Sequence, residues 1–144
     1  MNIRILIVDD EEDNRKMLSR HFRFNGYEVE TAEHGEEALE ILEEKKIDIV
    51  ISDIMMPVLD GIGLLKELHS TYPTVHTIMI TGYVTLENAL SCMRYGAETC
   101  IFKPLKDLTS LDEAVDKAVK SIHHWLKILE ELRAMKPAEG AAAL

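Results

Sequence analysis

Residues 3–10 read IRILIVDD and residues 48–53 read DIVISD, and these two stretches decide the fold. Each is a short aliphatic, β-branched-rich run that stops abruptly at acid. Apolar runs without polar alternation read as strands buried on both faces. Working outward, residues 27–32, 77–80 and 99–102 read as three more strands, and helical spacing fills the gaps. Residues 13–25 carry Met17, Leu18 and Phe22 on one face, with Gly26 as the stop. Residues 36–44 turn Ala38, Leu39 and Leu42 inward, and residues 60–70 do the same with Leu64, Leu65 and Leu68. Over residues 85–95 the spacing predicts a helix with Leu86, Ala89, Leu90 and Met93 inward, closed by Gly96. A long helix spans about residues 108–135, before Pro137. Five strands alternating with five helices mean an α/β fold, a doubly wound parallel sheet covered on both sides. In such sheets functional groups gather at the carboxyl ends of the strands.

The chain has 144 residues, 47% hydrophobic and 29% charged, the balance of one globular domain. Sixteen Lys+Arg against 26 Asp+Glu give a formal net charge of −10, which disfavours direct binding to nucleic acid or to anionic membrane. No apolar run approaches a membrane span, and the N-terminus lacks the features of a signal peptide. Cys92 and Cys100 have no CxxC spacing and read as small buried hydrophobes, so a reducing, cytoplasmic setting fits. Residues 137–144, PAEGAAAL without the flanking lysine, read as a loose tail.

The strand ends carry the chemistry. Strand one runs into Asp9-Asp10, strand three into Asp53, strand four into Thr81 and strand five into Lys103. Three carboxylates, a hydroxyl and an ammonium therefore converge on one sheet edge. Clustered carboxylates repel unless something positive offsets them. Lys103 offers one charge and a divalent cation two; oxygen ligands with an incomplete shell suit Mg²⁺. A carboxylate held beside Mg²⁺ and lysine is equipped to attack a phosphoryl group, which makes this an expected aspartyl-phosphate site. Taken singly, DDEED reads equally as an acid-rich helix start, Thr81 as a strand-end hydroxyl and Lys103 as a surface lysine.

The segments ILIVDDEEDNR (5–15), DIVISDIMMPVLDGIGLL (48–65), TIMITGY (77–83) and YGAETCIFKPL (95–105) resemble the receiver domain of two-component response regulators, of the chemotaxis-regulator type. The likeness covers about residues 1–120, leaving residues 121–136 as a helical extension. It brings with it the flavodoxin-like strand order 2-1-3-4-5, a familiar order for this kind of sheet. It implies that Asp53 accepts a phosphoryl group from the phosphohistidine of a sensor histidine kinase or a phosphotransfer protein. It implies that Asp10, Asp53 and the Met55 backbone carbonyl ligate Mg²⁺, with Asp9 acting through water. Thr81 would turn toward the new phosphate, Lys103 would pair with it, and the bond to Pro104 would be cis. Pro57 and Gly61 shape the adjacent loop. Where the family usually has an aromatic ring three residues before the lysine, this chain has Cys100. The positions that tune water access, Met55 and Tyr83, are both bulky.

Other classes fit less well. An aspartyl-nucleophile phosphatase of the haloacid-dehalogenase type would place DxD, not DD, on the first strand. A flavodoxin-like electron carrier would need a neutral loop where DDEED stands. A phosphorylation-independent interaction module would not need the intact acid, threonine and lysine set. His123-His124 point in different directions on a helix and lack acidic or cysteine partners one turn away. Residues 106–144 are nearly neutral, and no DNA-binding or enzymatic output pattern follows the receiver. Either the chain acts alone through partners or it is the receiver piece of a larger protein. Leu111, Val115, Ala118, Ile122, Trp125, Leu129 and Leu132 are spaced 4, 3, 4, 3, 4, 3, the alternation of a coiled-coil seam. Beyond Ile122 no sheet remains to cover, so the expectation is a parallel homodimer through the overhanging helix, with phosphorylation altering how the receivers sit on it. The alternatives are that the overhang folds back on its own domain or meets an output domain.

Overall fold

The computed structural model describes residues 2–83 and 85–135; the expected loose tail, 137–144, lies outside the described residues. The elements run β1 (Arg4–Val8), α1 (Glu12–Phe24), β2 (Glu28–Ala32), α2 (Gly35–Glu44), β3 (Ile49–Asp53), α3 (Gly61–Thr71), β4 (His76–Thr81), α4 (Leu86–Arg94), β5 (Thr99–Phe102) and α5 (Thr109–Ala134). All strand pairs are parallel and the order is β2-β1-β3-β4-β5. This is the flavodoxin-like, doubly wound sheet expected from the sequence, with its long closing helix.

Two-fold side-chain alternation explains why β1 and β3 look wholly apolar. Ile5, Ile7, Ile49 and Ile51 face one side, where Leu18 and Phe22 of α1 and Leu111, Val115 and Ala118 of α5 cover them. Leu6, Val8 and Val50 face the other, against Ala38 and Leu42 of α2 and Leu64 and Leu68 of α3. A third cluster, Ile54, Leu65, Met79 and Cys92, fills the space under α4.

The inward face expected for α4 is corrected. Leu86, Leu90 and Met93 are exposed, and Cys92 is the one buried residue of the helix among those described. Helix α4 lies over the edge of the sheet, where β5 is only four residues long, so little apolar surface lies beneath it. It presents Cys92, with Ala89 and Ser91 half-buried, to the sheet and turns its larger apolar residues outward. On α5 the buried stripe ends at Ala118; Trp125, Leu129 and Leu132 are exposed. Among the described residues, no helix is long and apolar enough to cross a membrane.

One close approach fixes the loop after β3. Asp60 caps α3 by accepting from the Gly63 N–H at 2.8 Å, and Gly61 N–H donates to the Ile54 carbonyl at 2.9 Å. A Cβ on Gly61 would stand 2.1 Å from the Asp53 carbonyl oxygen and 2.7 Å from Ile54 Cα, both backbone atoms. Gly61→Ala should therefore lower stability by about 1–3 kcal/mol, the range for overpacking a tight site. Urea denaturation measures it, and an unchanged midpoint would refute the close approach.

Candidate functional site

Because the strands are parallel, their carboxyl ends share one edge. Val8 is level with Ser52 and Asp53 with Ile80, so Asp9 and Asp53 emerge side by side. Thr81 is level with Phe102, which sets Lys103 one residue beyond the sheet. Asp9, Asp53 and Thr81 are buried, at 3%, 6% and 1% exposure, although each carries a polar head. Their burial is tolerated because partners surround them.

Lys103 Nζ donates to Asp53 Oδ2 at 2.7 Å and to Asp9 Oδ2 at 3.2 Å. Asp9 Oδ1 accepts from the Glu11 N–H at 2.8 Å, and Asp53 Oδ1 accepts from the Met55 N–H at 3.2 Å. Burial pulls the Lys103 pKa down, but the hydrogen bond to Asp53 and the Asp9 and Asp53 charges more than offset that, so it is raised overall. Asp10 is exposed and joins from the rim: one carboxylate oxygen from each of Asp9, Asp10 and Asp53 lies within 4.8 Å of the others. One ammonium against three carboxylates leaves an excess of negative charge. An all-oxygen, carboxylate-rich donor set with one side open to water fits Mg²⁺.

The Thr81 hydroxyl is engaged with its own loop, donating to the Tyr83 carbonyl at 2.8 Å and accepting from the Tyr83 N–H at 3.1 Å. Tyr83 and Met55 are both exposed beside the site. The Lys103–Pro104 bond is cis. Between Pro57 and Gly61, Val58 holds a φ of 68°, an unusual conformation for a β-branched residue. Cys100 packs with the cluster beneath α4, and burial beside Cys92 pushes its thiol up to about 11. It remains a protonated apolar side chain at neutral pH.

Two contacts were not read from the sequence. Arg15 Nη1 donates to the Asp9 carbonyl at 2.6 Å, and Asn14 Nδ2 reaches Asp9 Oδ2 at 3.5 Å. Both lie in the first turns of α1, five and six residues after Asp9; only the helical return of the chain brings them back. His123 and His124 are exposed on the far half of α5, away from the strand ends.

The sequence model of the family described as "Response regulator receiver domain" matches residues 5–116. The regulatory protein AtoC of Escherichia coli K12 is 40% identical over 117 residues, which is 81% of this chain and 25% of that protein. This chain thus spans about a quarter of that relative's length. Among solved structures, a CheY-like response regulator receiver domain protein from Methanospirillum hungatei JF-1 superimposes with a TM-score of 0.80 at 32% identity, covering 86% of this chain and 99% of that one. The response regulator TrrA of Thermotoga maritima, solved in complex with Mg²⁺-BeF, gives 0.73 at 34% identity, covering 81% and 98%.

The Lys103 contact predicts a pH-limited stability difference. Lys103→Met should cost about 2 kcal/mol, less than the roughly 3–5 for a fully buried pair, because the lysine side chain is 20% exposed. A lysine whose folded pKa is raised contributes fully below its unfolded value of about 10.4 and loses that contribution as pH rises through the higher folded value. The gap between wild type and variant should hold from pH 7 to about 10 and close above. Denaturation across that range checks it; a gap that already narrows at pH 8 would contradict the assignment.

Proposed function

The chain belongs to the response regulator receiver family of two-component signalling systems, and from that premise we propose that Asp53 is the phosphoacceptor of a Mg²⁺-dependent switch. Receivers act as signalling switches. The observation that carries the reading is the single ammonium of Lys103, hydrogen-bonded to Asp53 and Asp9 within a three-carboxylate cluster. Asp10, Asp53 and the Met55 carbonyl would hold the metal, with Asp9 behind a water. Bound Mg²⁺ supplies positive charge against these carboxylates and the phosphoryl oxygens.

An Asp53 carboxylate oxygen attacks the phosphorus of a phosphohistidine on a sensor kinase or phosphotransfer protein. The P–N bond breaks as the O–P bond forms, and the imidazole departs. Lys103 then exchanges its hydrogen bond to Asp53 for one to a phosphoryl oxygen, where its charge opposes the charge gathered there. Thr81 leaves Tyr83 for the same oxygens, which frees the β4–α4 loop. Cys100 lacks the ring that would follow Thr81 inward, so the response passes through the loop and the packing under α4. The exposed Met55 and Tyr83 flank the acceptor and restrict the water that would hydrolyse it.

The chain works in the cytoplasm and pairs with a second copy through the overhanging end of α5, and phosphorylation alters how the two receivers sit. Its output lies in partners or in chain beyond this sequence.

Incubation with Mg²⁺ and a small acyl phosphate or phosphoramidate should add one base-labile phosphoryl mass, and Asp53→Asn should take up none. Equal labelling of the Asn variant would overturn the assignment. Mg²⁺ should also raise the melting temperature of the wild type, by the equivalent of about 2.7 kcal/mol at a hundred times its Kd. Asp10→Ala removes one like charge, so its metal-free form should melt at or above the wild type while gaining little from Mg²⁺. Equal Mg²⁺-dependent stabilisation of both proteins would exclude Asp10 as a ligand.

A further inference from the structure

Helix α1 carries a charge pattern that the site at the strand ends does not use. Glu12, Arg15, Lys16, Ser19, Arg20 and Arg23 line a cleft of about 580 Å³ whose sheet side is Thr31 of β2. Residues three and four apart share a helix face, so these fall in one row. Lys16 and Arg20 stand on its outer rim, shared with the α5 side of the helix. Strand β2 is the edge of the sheet, and no strand lies beyond it to cover the cleft. Four of the chain's 16 Lys and Arg thus gather in one place, in a protein with a formal net charge of −10.

The carboxylates nearby do not cancel these charges. Glu12 holds Lys16 at 3.1 Å, and Glu33 lies 3.6 Å from Arg15. Arg23 Nη2 donates to the Val29 carbonyl at 3.2 Å, a neutral acceptor that leaves the charge uncompensated. Arg20 has no ion-pair partner among the described residues, and both Arg20 and Arg23 are exposed. The other acids of β2 face away. Val29 and Thr31 are level with Ile5 and Ile7, which point toward α1, whereas Glu30 is level with Leu6, which points toward α2 and α3. Glu28 and Glu30 therefore lie on the opposite side of the sheet, where they hold Arg4 and Lys45. Two carboxylates against four cations leave an excess of two positive charges in the cleft. Ser19 supplies an independent signal. It is 6% exposed, and its hydroxyl is the one buried side-chain polar atom among the described residues that has no hydrogen-bond partner. A buried hydroxyl is ordinarily paired.

We propose that this cleft binds a linear phosphate chain, either inorganic or the di- or triphosphate part of an organic ester. Guanidinium groups present N–H forks that match phosphate oxygens two at a time. The unused groups are donors, so the ligand they suit is rich in acceptor oxygens and carries more than one negative charge. The Ser19 and Thr31 hydroxyls donate between the cations, Ser19 after a turn about its χ1. From Lys16 to Arg23 the row rises about 10 Å along the helix, room for more than a single phosphate. None of the lining residues is aromatic, so recognition falls on the phosphate chain and not on a stacked base.

The test uses the full chain in EDTA without Mg²⁺, where the carboxylate cluster at Asp53 repels anions. Calorimetric titration with tripolyphosphate should show one site with a Kd below about 1 mM. Backbone amide NMR shifts should centre on Ser19, Arg20, Arg23 and Thr31. Arg20→Gln combined with Arg23→Gln, exposed changes whose fold is checked by circular dichroism, should weaken binding about tenfold. Ser19→Ala should weaken it about threefold, the loss of one neutral hydrogen bond. ATP binding equally or more weakly assigns the cleft to the inorganic chain; ATP binding about tenfold more tightly assigns it to an organic ester. Citrate binding as tightly as tripolyphosphate would overturn the choice of phosphate. The absence of heat and of shifts overturns the site, as do shifts centred on Lys103 or a double Gln variant that binds like the wild type.

Discussion

Two carboxylates, Asp9 and Asp53, stand side by side at the ends of neighbouring strands, and a single ammonium, that of Lys103, holds them there at 3.2 and 2.7 Å. Like charges this close and this buried would repel; the lysine offsets part of that, and its own raised pKa records the same interaction from the other side. Everything around the site serves this arrangement. The sheet is apolar on both faces, so its carboxyl edge is the outlet where polar heads gather beside water. Parallel pairing puts β1, β3, β4 and β5 to that edge together, and the Gly61 contact draws the β3–α3 loop tight against Asp53.

The site is also poised by what it leaves incomplete. Asp10 hangs at the rim, and the charge of three carboxylates exceeds what one ammonium neutralises. Beside these groups the Thr81 hydroxyl is engaged in a two-way hydrogen bond with its own loop. The loop leads into α4, the helix with the thinnest anchorage to the sheet: one buried residue, and Leu86, Leu90 and Met93 facing out. Few buried contacts hold that helix, which places it at the low-stability end of the fold.

Helix α5 divides in two along its length. Its first half is a structural cover, with Leu111, Val115 and Ala118 closing the core on the α1 side, and His21 of α1 meeting Asp112 at 2.7 Å. Its second half leaves the sheet and forms one wall of a groove at the far edge. Strand β3 spans the distance between groove and Asp53, five residues or about 16 Å. The molecule thus separates the chemistry at one edge from an apolar recess at the other.

The sequence by itself determined the element order, the parallel sheet and the acids, hydroxyl and lysine at the strand ends. Strands buried on both faces are written as unbroken apolar runs, and a run that ends in Asp or Lys names its own site residue. It determined that residues 86, 90 and 93 share a helical face, because spacing fixes which residues share a face. Only the tertiary structure decided what that face meets. The short edge strand β5 offers α4 too little surface, and the face turned outward. The same holds for α5: periodicity drew one stripe from Leu111 to Leu132, and the extent of the sheet decided where burial stopped. Arg15 and Asn14 reach Asp9 only because α1 doubles back over the strand end, and the groove beside Trp125 exists only because loops distant in sequence close it. Such contacts depend on which surfaces the packed elements leave within reach, and local spacing carries no record of that.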